Sequence, residues 1–180
     1  MKNQSLLTAA SLILLASIVT SASVPQAQKA APAKLPAELL AKNLGELTAE
    51  EEEQFSNGAE ATIERVCILC HPFENIVKTR RTVREWNDQV TTMSQRGAPG
   101  TDPDFSLIKK YLTRYYGIVR VNTASAEELT AVLGLPANVA AAVVEYRTTN
   151  GKFTDLAALE KVAGVDKAKL EEQREALRFD

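Results

Sequence analysis

Apolar residues recur at helical spacing along most of the chain. In residues 82–96 they are three or four positions apart, at Val83, Trp86, Val90 and Met93. Residues 104–116 repeat this spacing, which places apolar side chains on one face of an α-helix. Further helices are predicted in the C-terminal part of the chain, at residues 126–133, 137–147, 156–162 and 167–177. Because no segment alternates between apolar and polar residues as a strand does, we expect an all-α protein.

The first 23 residues have the pattern of a secretory signal peptide. Lys2 precedes an apolar run over residues 6–19, and small residues follow at 21–23. The alternative is a membrane anchor, but the run is shorter than the ~20 apolar residues that a spanning helix needs. We therefore expect a periplasmic or otherwise extracytoplasmic mature protein with no stable membrane span. Residues 24–47, which begin with Ala, Pro, Gln and Lys, are predicted to be a linker.

Charge and length indicate two small units after this linker. The 180 residues carry a net charge of −2, which argues against a globally basic nucleic-acid-binding protein. Residues 59–117 contain nine basic and seven acidic side chains, and residues 118–180 contain eight basic and ten acidic ones. Each unit is near the size at which a hydrophobic core alone gives marginal stability. We predict one domain over residues 48–117 and a second over residues 118–180.

Cys67, Cys70 and His71 form C-x-x-C-H, the attachment pattern of c-type haem. Two thiols add to the haem vinyl groups, and the adjacent histidine reaches the iron as its proximal ligand. This motif uses both cysteines and the only histidine of the chain. The alternatives are a zinc site, which needs a fourth ligand, and a redox disulfide, which normally opens a helix in a βαβ setting. We expect one covalent haem c.

Met93 is the expected distal iron ligand by elimination. No other methionine remains once the signal peptide is removed, and Met93 follows His71 by 22 residues. Met93 shares a helical face with Trp86, which would then pack near the porphyrin. Arg80 and Arg81 could pair with the haem propionates, and the alternative for both is a solvated basic face. The alternative for Met93 is a core methionine beside a five-coordinate or differently ligated haem.

Residues 59–117 resemble a small single-haem cytochrome c domain, similar to those found in, or fused to, bacterial periplasmic dehydrogenases. The resemblance rests on the C-x-x-C-H motif, on the W-x3-V-x2-M pattern that ends at Met93, and on the Gly97-Ala98-Pro99 turn. The sequence departs from the longer class I pattern, in which the methionine follows much later in the chain. The resemblance implies a periplasmic redox protein or dehydrogenase as the partner.

The C-terminal unit closely resembles the tandem helix-hairpin-helix domain of periplasmic competence DNA receptors (ComEA-like). The resemblance rests on V-N-T-A at residues 121–124, E-Y-R at 145–147 and N-G-x-F at 150–153, in that order. Two hairpins, at Gly134 and Gly164, form a weak internal repeat. In this module a G-x-G hairpin directs backbone N–H groups and the positive end of a helix at a phosphate.

Both hairpins depart from that pattern at their second glycine. Pro136 stands in the first hairpin and has no N–H to donate, and the carboxylate of Asp166 in the second would repel a phosphate. Leu135 and Val165 are interpreted as core residues of the hairpins. Because the unit is also net acidic, we expect it to bind DNA weakly or not at all. A local patch of Lys152, Lys161, Lys167 and Lys169 would alter that expectation.

The leading interpretation is an exported c-type cytochrome that carries single electrons and is not an enzyme. Its helix-hairpin-helix domain would dock to a protein. The alternative is a periplasmic DNA-binding protein of the competence-receptor type with an accessory haem. A third class, a peroxidase or gas-sensing haem protein, would need an open position on the iron. Strong salt-dependent affinity for DNA would favour the DNA-binding protein.

Overall fold

Residues 35–180 are described by the computed structural model. The predicted signal peptide and the linker as far as residue 34 lie outside the described residues. The rest of the predicted linker has secondary structure, because it contains a short helix and a 3₁₀ turn. The side chain of Leu39 in this segment is buried in the core, so the segment is part of the packed structure.

The N-terminal part of the described chain is helical, and side-chain caps define where its longer helices begin. Its elements are α1 (Ala37–Ala41), a 3₁₀ turn (Leu44–Glu46), α2 (Ala49–Val66), α3 (Phe73–Val77), α4 (Val83–Gln95) and α5 (Asp102–Tyr116). Reciprocal capping boxes start α2, α4 and α5, in the pairs Thr48 with Glu51, Thr82 with Glu85 and Thr101 with Asp104. The helices predicted over residues 82–96 and 104–116 are confirmed as α4 and α5.

The C-terminal part contains two helix-hairpin-helix units. Its elements are β1 (Val119–Arg120), α6 (Ala126–Leu133), α7 (Ala137–Asn150), α8 (Leu156–Leu159), α9 (Lys167–Glu172), a 3₁₀ turn (Arg174–Ala176) and β2 (Leu177–Arg178). The predicted helices over residues 126–133 and 137–147 are confirmed. The helices predicted over residues 156–162 and 167–177 are shorter in the structure, because the chain turns toward the second hairpin and then extends into β2.

A short parallel strand pair closes the C-terminal part. Val119 pairs with Leu177 and Arg120 pairs with Arg178, so the two ends of this part lie side by side. The expectation of no strands is therefore wrong in this detail. Two residues are too few to show an alternating pattern, and the pairing depends on positions far apart in the sequence.

The described residues belong to one compact unit with two clusters of buried side chains. The first cluster includes the fully buried Phe55 and Trp86 and is formed mainly by α2, α4 and α5. The second includes Leu129, Val143 and Phe153 and is formed by the strands, the hairpins and α6 to α9. The helical spacing indicates these faces, except that Met93 of α4 is partly exposed and belongs to neither cluster.

The end of α5 is fixed by contacts to the start of α4. The indole Nε1 of Trp86 donates to the carbonyl oxygen of Tyr116 at 3.0 Å, and Arg81 forms an isolated parallel bridge with Gly117. A Cβ atom at Gly117 would lie 2.1 Å from the carbonyl oxygen of Thr113, so only glycine fits there. The C-terminal part of the chain follows directly after this junction.

Candidate nucleic-acid interface

The first hairpin turns the chain from α6 into α7. Gly134 has φ 61° and ψ 31°, a left-handed conformation that favours glycine, and its N–H donates to Thr130 at 2.9 Å. Leu135 is buried at the tip, and Pro136 is the N-cap of α7. The predicted hairpin and the predicted core role of Leu135 are both confirmed.

Pro136 removes one donor from this hairpin but leaves two others free. Its carbonyl oxygen accepts from Val139 and Ala140, both at 2.9 Å. The amides of Ala137 and Asn138 have no acceptor within the described residues, and both residues are exposed. The start of α7 thus offers two N–H groups and the positive end of a 14-residue helix to solvent.

The tip of the first hairpin is covered by the 3₁₀ turn that precedes α2. A Cβ atom at Gly45 would lie 2.4 Å from the carbonyl oxygen of Leu135 and 2.8 Å from that of Gly134. The side chain of Asn43 accepts from the Gly45 amide at 3.1 Å and fixes the turn. Sequence reasoning missed this contact, and the only signal for it is a glycine in a segment that resembles a linker.

Arg114 packs under the first hairpin from the side of α5. Its guanidinium donates to Val132 at 3.4 Å and forms an ion pair with Glu52 at 3.2 Å, with only 13% of the side chain exposed. A Cβ atom at Gly134 would meet this guanidinium at 3.0 Å. The cation lies near the C-terminal end of α6, where the helix dipole favours positive charge. Arg114 therefore supports the hairpin and is not free to bind a ligand.

The second hairpin contains a negatively charged side chain, that of Asp166. Gly164 has φ 86° and packs on the start of α7, where a Cβ atom would lie 2.9 Å from Val139. Asp166 is the N-cap of α9, and its carboxylate accepts from the amides of Ala168 at 3.0 Å and Lys169 at 3.2 Å. These amides are therefore already hydrogen-bonded, and a phosphate there would meet a negative charge.

The residues that carry the resemblance to competence receptors have structural roles here. Asn122 donates to the carbonyl oxygens of Phe153 and Phe179 at 3.0 and 2.9 Å, and it accepts from the Phe153 amide at 2.8 Å. Arg147 donates to two backbone carbonyls of residues 121–124, both at 2.6 Å. Asn122 and Arg147 therefore hold the domain together, and their polar side-chain atoms are hydrogen-bonded within the protein.

The lysines of the C-terminal domain lie on its surface. Lys152, Lys161, Lys167 and Lys169 are all exposed. Lys167 lies 3.9 Å from Glu160, so part of its charge is balanced. The four lysines of the predicted patch are therefore solvated side chains, and Glu160 partly balances the charge of one of them.

The C-x-x-C-H segment follows directly after α2. Cys67 caps the helix and is half-buried, Cys70 is exposed, and both are free thiols. Burial, and then the nearby Cys70, raise the pKa of the Cys67 thiol. The Nδ1 atom of His71 is buried without a hydrogen-bond partner, and Ile68 and Leu69 are exposed apolar side chains beside it.

The other predicted haem contacts have partners within the protein. Trp86 is fully buried, and its indole N–H donates to the carbonyl oxygen of Tyr116. The guanidinium of Arg81 lies 4.9 Å from the centroid of the Trp86 ring. Arg80 donates to carbonyl oxygens of residues 115 and 117 and pairs with Glu175 at 3.6 Å. Met93 lies in the last turn of α4 and is partly exposed.

These observations give no support to a metal centre. Within the part of the chain that the structure describes, no group of three or more His, Cys, Asp or Glu side chains could hold a metal ion. The zinc alternative therefore gains no support. Covalent attachment of haem c to Cys67 and Cys70 is untested and stays a prediction, which the mass of the exported protein would check.

Comparison with known proteins identifies the C-terminal part. Residues 116–178 match the family model described as "Helix-hairpin-helix motif". The chain is 32% identical over 60 residues to "ComE operon protein 1" of Bacillus subtilis, which is 33% of this chain and 29% of that protein. It is 39% identical over 62 residues to an uncharacterized protein of Haemophilus influenzae, which is 34% of this chain and 55% of that protein.

The chain spans about a third to about half of the length of these relatives. No solved structure matches it significantly. In residues 35–180, no helix combines the length and the apolar character that crossing a bilayer requires.

The comparisons correct the leading interpretation. An electron-carrying cytochrome is contradicted, because the matches are to a helix-hairpin-helix family and to a ComE operon protein. These findings do not support a cytochrome, a haem protein or a role in electron transfer. The alternative of a DNA-binding protein agrees better with them. Residues 116–178 are accordingly a helix-hairpin-helix domain, and 60 residues of the chain are similar in sequence to part of a ComE operon protein.

Proposed function

We propose that this protein binds the phosphate backbone of nucleic acid outside the cytoplasm, through its helix-hairpin-helix domain and without reading base sequence. The observation that carries the proposal is the match of residues 116–178 to the helix-hairpin-helix family. The similarity to "ComE operon protein 1" and the signal-peptide pattern support a role in handling extracellular DNA. It is a binding protein, and we assign it no reaction.

The first hairpin is the phosphate-binding element of this proposal. The free amides of Ala137 and Asn138 at the start of α7 are donors of the kind that bind phosphate. Asp166 caps the corresponding helix of the second hairpin, and its negative charge repels phosphate. Backbone amides contact phosphates and carry no sequence information, which agrees with binding that does not depend on sequence.

The affinity of this interface is low. Pro136 has no backbone N–H to donate, and the C-terminal unit contains ten acidic and eight basic side chains. A helix-hairpin-helix domain with one working hairpin makes few phosphate contacts, so we place its dissociation constant in the non-specific range of roughly 10⁻⁴ to 10⁻⁶ M. A receptor of this kind would need many copies, or a partner, to retain DNA.

Titration of labelled duplex DNA with the full mature chain tests the proposal. Fluorescence anisotropy at about 50 mM and about 200 mM salt should show binding at the lower concentration and weaker binding at the higher one, as for other contacts to the phosphate backbone. Two duplexes of unrelated sequence should bind equally. No binding at the lower salt concentration, or affinity that differs strongly between the sequences, contradicts the proposal.

A further inference from the structure

The turn that follows α2 contains both cysteines of the chain. Cys67 is the C-cap of α2, and the amide of Cys70 donates to the carbonyl oxygen of Cys67 at 3.4 Å. A hydrogen bond of this kind closes a four-residue turn, in which the first and last Cα atoms lie within about 7 Å of each other. Disulfides join Cα atoms that are roughly 4.4 to 6.8 Å apart. The backbone of this turn therefore brings the two cysteines close enough for a disulfide.

The two thiols are also close enough to interact electrostatically. Burial, and then the charge of Cys70, raise the pKa of the Cys67 thiol. The second effect requires a short distance, because the interaction of two charges weakens as they separate. A thiol with a raised pKa is ionised less often, so Cys67 is a poor nucleophile at neutral pH.

The two cysteines differ in exposure. Cys67 is half-buried and packs against the first cluster of buried side chains, whereas Cys70 is exposed. Between them, Ile68 and Leu69 are 42% and 70% exposed, so the turn projects from the surface. A reagent in solution therefore reaches the sulfur of Cys70 first.

We propose that Cys67 and Cys70 form a reversible disulfide with each other when a disulfide-containing oxidant reaches this turn. The thiolate of Cys70 attacks the oxidant, forms a mixed disulfide and releases one thiol. Cys67 then attacks the sulfur of Cys70 and releases the second thiol. The two cysteines lose two electrons and two protons in all, and the sulfur atoms of the oxidant take them up.

This disulfide is a site of oxidation and reduction and contributes little to the stability of the fold. A disulfide stabilises a protein more when it closes a longer loop, and this one closes only four residues. Oxidising conditions outside the cytoplasm favour its formation. The inference shares that location with the proposed function but does not depend on DNA binding.

Alkylation with iodoacetamide, followed by intact mass measurement, tests the inference on the full mature chain. After incubation with oxidised glutathione, wild type should remain monomeric and take up no label, and it should take up two labels once dithiothreitol has reduced it. Two labels without reduction, or a disulfide-linked dimer, would overturn the inference. Haem attached to both cysteines of the exported protein would also overturn it, because the same two sulfur atoms would be used.

Two single variants test the order of attack, and each is the control for the other. Cys67→Ser keeps the exposed thiol, and Cys70→Ser keeps the half-buried one. Oxidised glutathione should add to Cys67→Ser several-fold faster than to Cys70→Ser, since exposure and ionisation control the rate. Circular dichroism confirms that both variants are folded. Equal rates, or faster addition to Cys70→Ser, would contradict Cys70 as the attacking thiol.

Discussion

The carboxylate of Asp166 accepts a hydrogen bond from the amide of Ala168 at 3.0 Å. This carboxylate therefore occupies the place where the amides of the second hairpin would otherwise bind a phosphate. The first hairpin has no such internal anion, because its N-cap is Pro136. The two hairpins, similar in sequence, therefore differ in what they can bind.

Replacing Asp166 with Asn should raise the affinity for DNA. Asparagine keeps an oxygen that can cap α9 and removes the charge that repels phosphate. We expect the affinity for duplex DNA to increase roughly fivefold, which is the effect of one screened charge of about 1 kcal/mol. Asp155→Asn is the matched control, because Asp155 caps α8 at 2.8 Å and lies outside the hairpin turn. Equal affinities of Asp166→Asn and wild type would contradict this account of the second hairpin.

Replacing Gly45 with Ala should destabilise the protein. The added methyl group would meet the carbonyl oxygen of Leu135 at 2.4 Å, so the 3₁₀ turn or the hairpin must move. We expect the free energy of unfolding to fall by about 1–3 kcal/mol, as for other overpacked sites. Urea denaturation measures this, with Glu46→Ala as the control at the exposed neighbouring position. A Gly45→Ala protein as stable as wild type would show that the turn does not pack on the hairpin.

Arg147 should prove necessary for the fold. Arg147→Met leaves the carbonyl oxygens of Val121 and Ala124 without their donors, both of which lie at 2.6 Å in the structure. Loss of hydrogen bonds from a charged donor should lower the free energy of unfolding by about 1.5–3 kcal/mol. Glu145→Gln, on the same helix, is the control. If Arg147→Met weakened DNA binding but not stability, the structural role of this motif residue would be wrong.

Acid should weaken the attachment of α5 to α2. Burial raises the pKa of Asp104, but hydrogen bonds from Arg65 at 2.7 Å and from the Thr101 amide at 2.9 Å outweigh it, so the pKa is lowered. A carboxyl whose pKa is lower in the folded state stabilises the fold above its unfolded pKa of about 3.9. That stability is lost as the pH falls from there through the lower folded pKa.

Urea denaturation at about pH 5 and about pH 3 checks this, since the two values span the unfolded pKa. Asp104→Asn should reduce the difference in stability between the two pH values. Asp102→Asn, at the exposed first position of the same helix, should not. Equal acid sensitivity of wild type and Asp104→Asn would contradict the prediction.

Local chemistry made most of the helices predictable from sequence. Thr82 and Glu85 form a capping box three residues apart, and the apolar positions that follow lie on one face. Gly134 and Gly164 mark the hairpins because both adopt positive φ. Each of these signals involves only a few neighbouring residues, so it can be recognised from the sequence alone.

Long-range contacts could not be predicted in the same way. The pairing of Val119 with Leu177 joins positions near the two ends of a domain, and neither strand is long enough to show a pattern. Gly45 lies against Leu135 across about half of the chain. Both contacts join residues far apart in the sequence, so no local sequence pattern indicates them.

The functional interpretation failed for a related reason. C-x-x-C-H is five residues long, and together with the short patterns around Trp86 and Met93 it led to the interpretation as an electron carrier. The match to the helix-hairpin-helix family extends over residues 116–178 and rests on many positions. A long match therefore outweighs a short motif when the two suggest different functions.

One pair of variants tests the central claim most directly. Asn138→Asp and Asn150→Asp make the same change at the two ends of α7. Asn138 carries one of the two free amides, and Asn150 ends the helix. An acidic residue favours the start of a helix, so Asn138→Asp should remain folded. The account predicts that Asn138→Asp weakens duplex DNA binding roughly fivefold or more while Asn150→Asp binds like wild type. Equal binding by the two variants would contradict the assignment of nucleic-acid binding to the first hairpin.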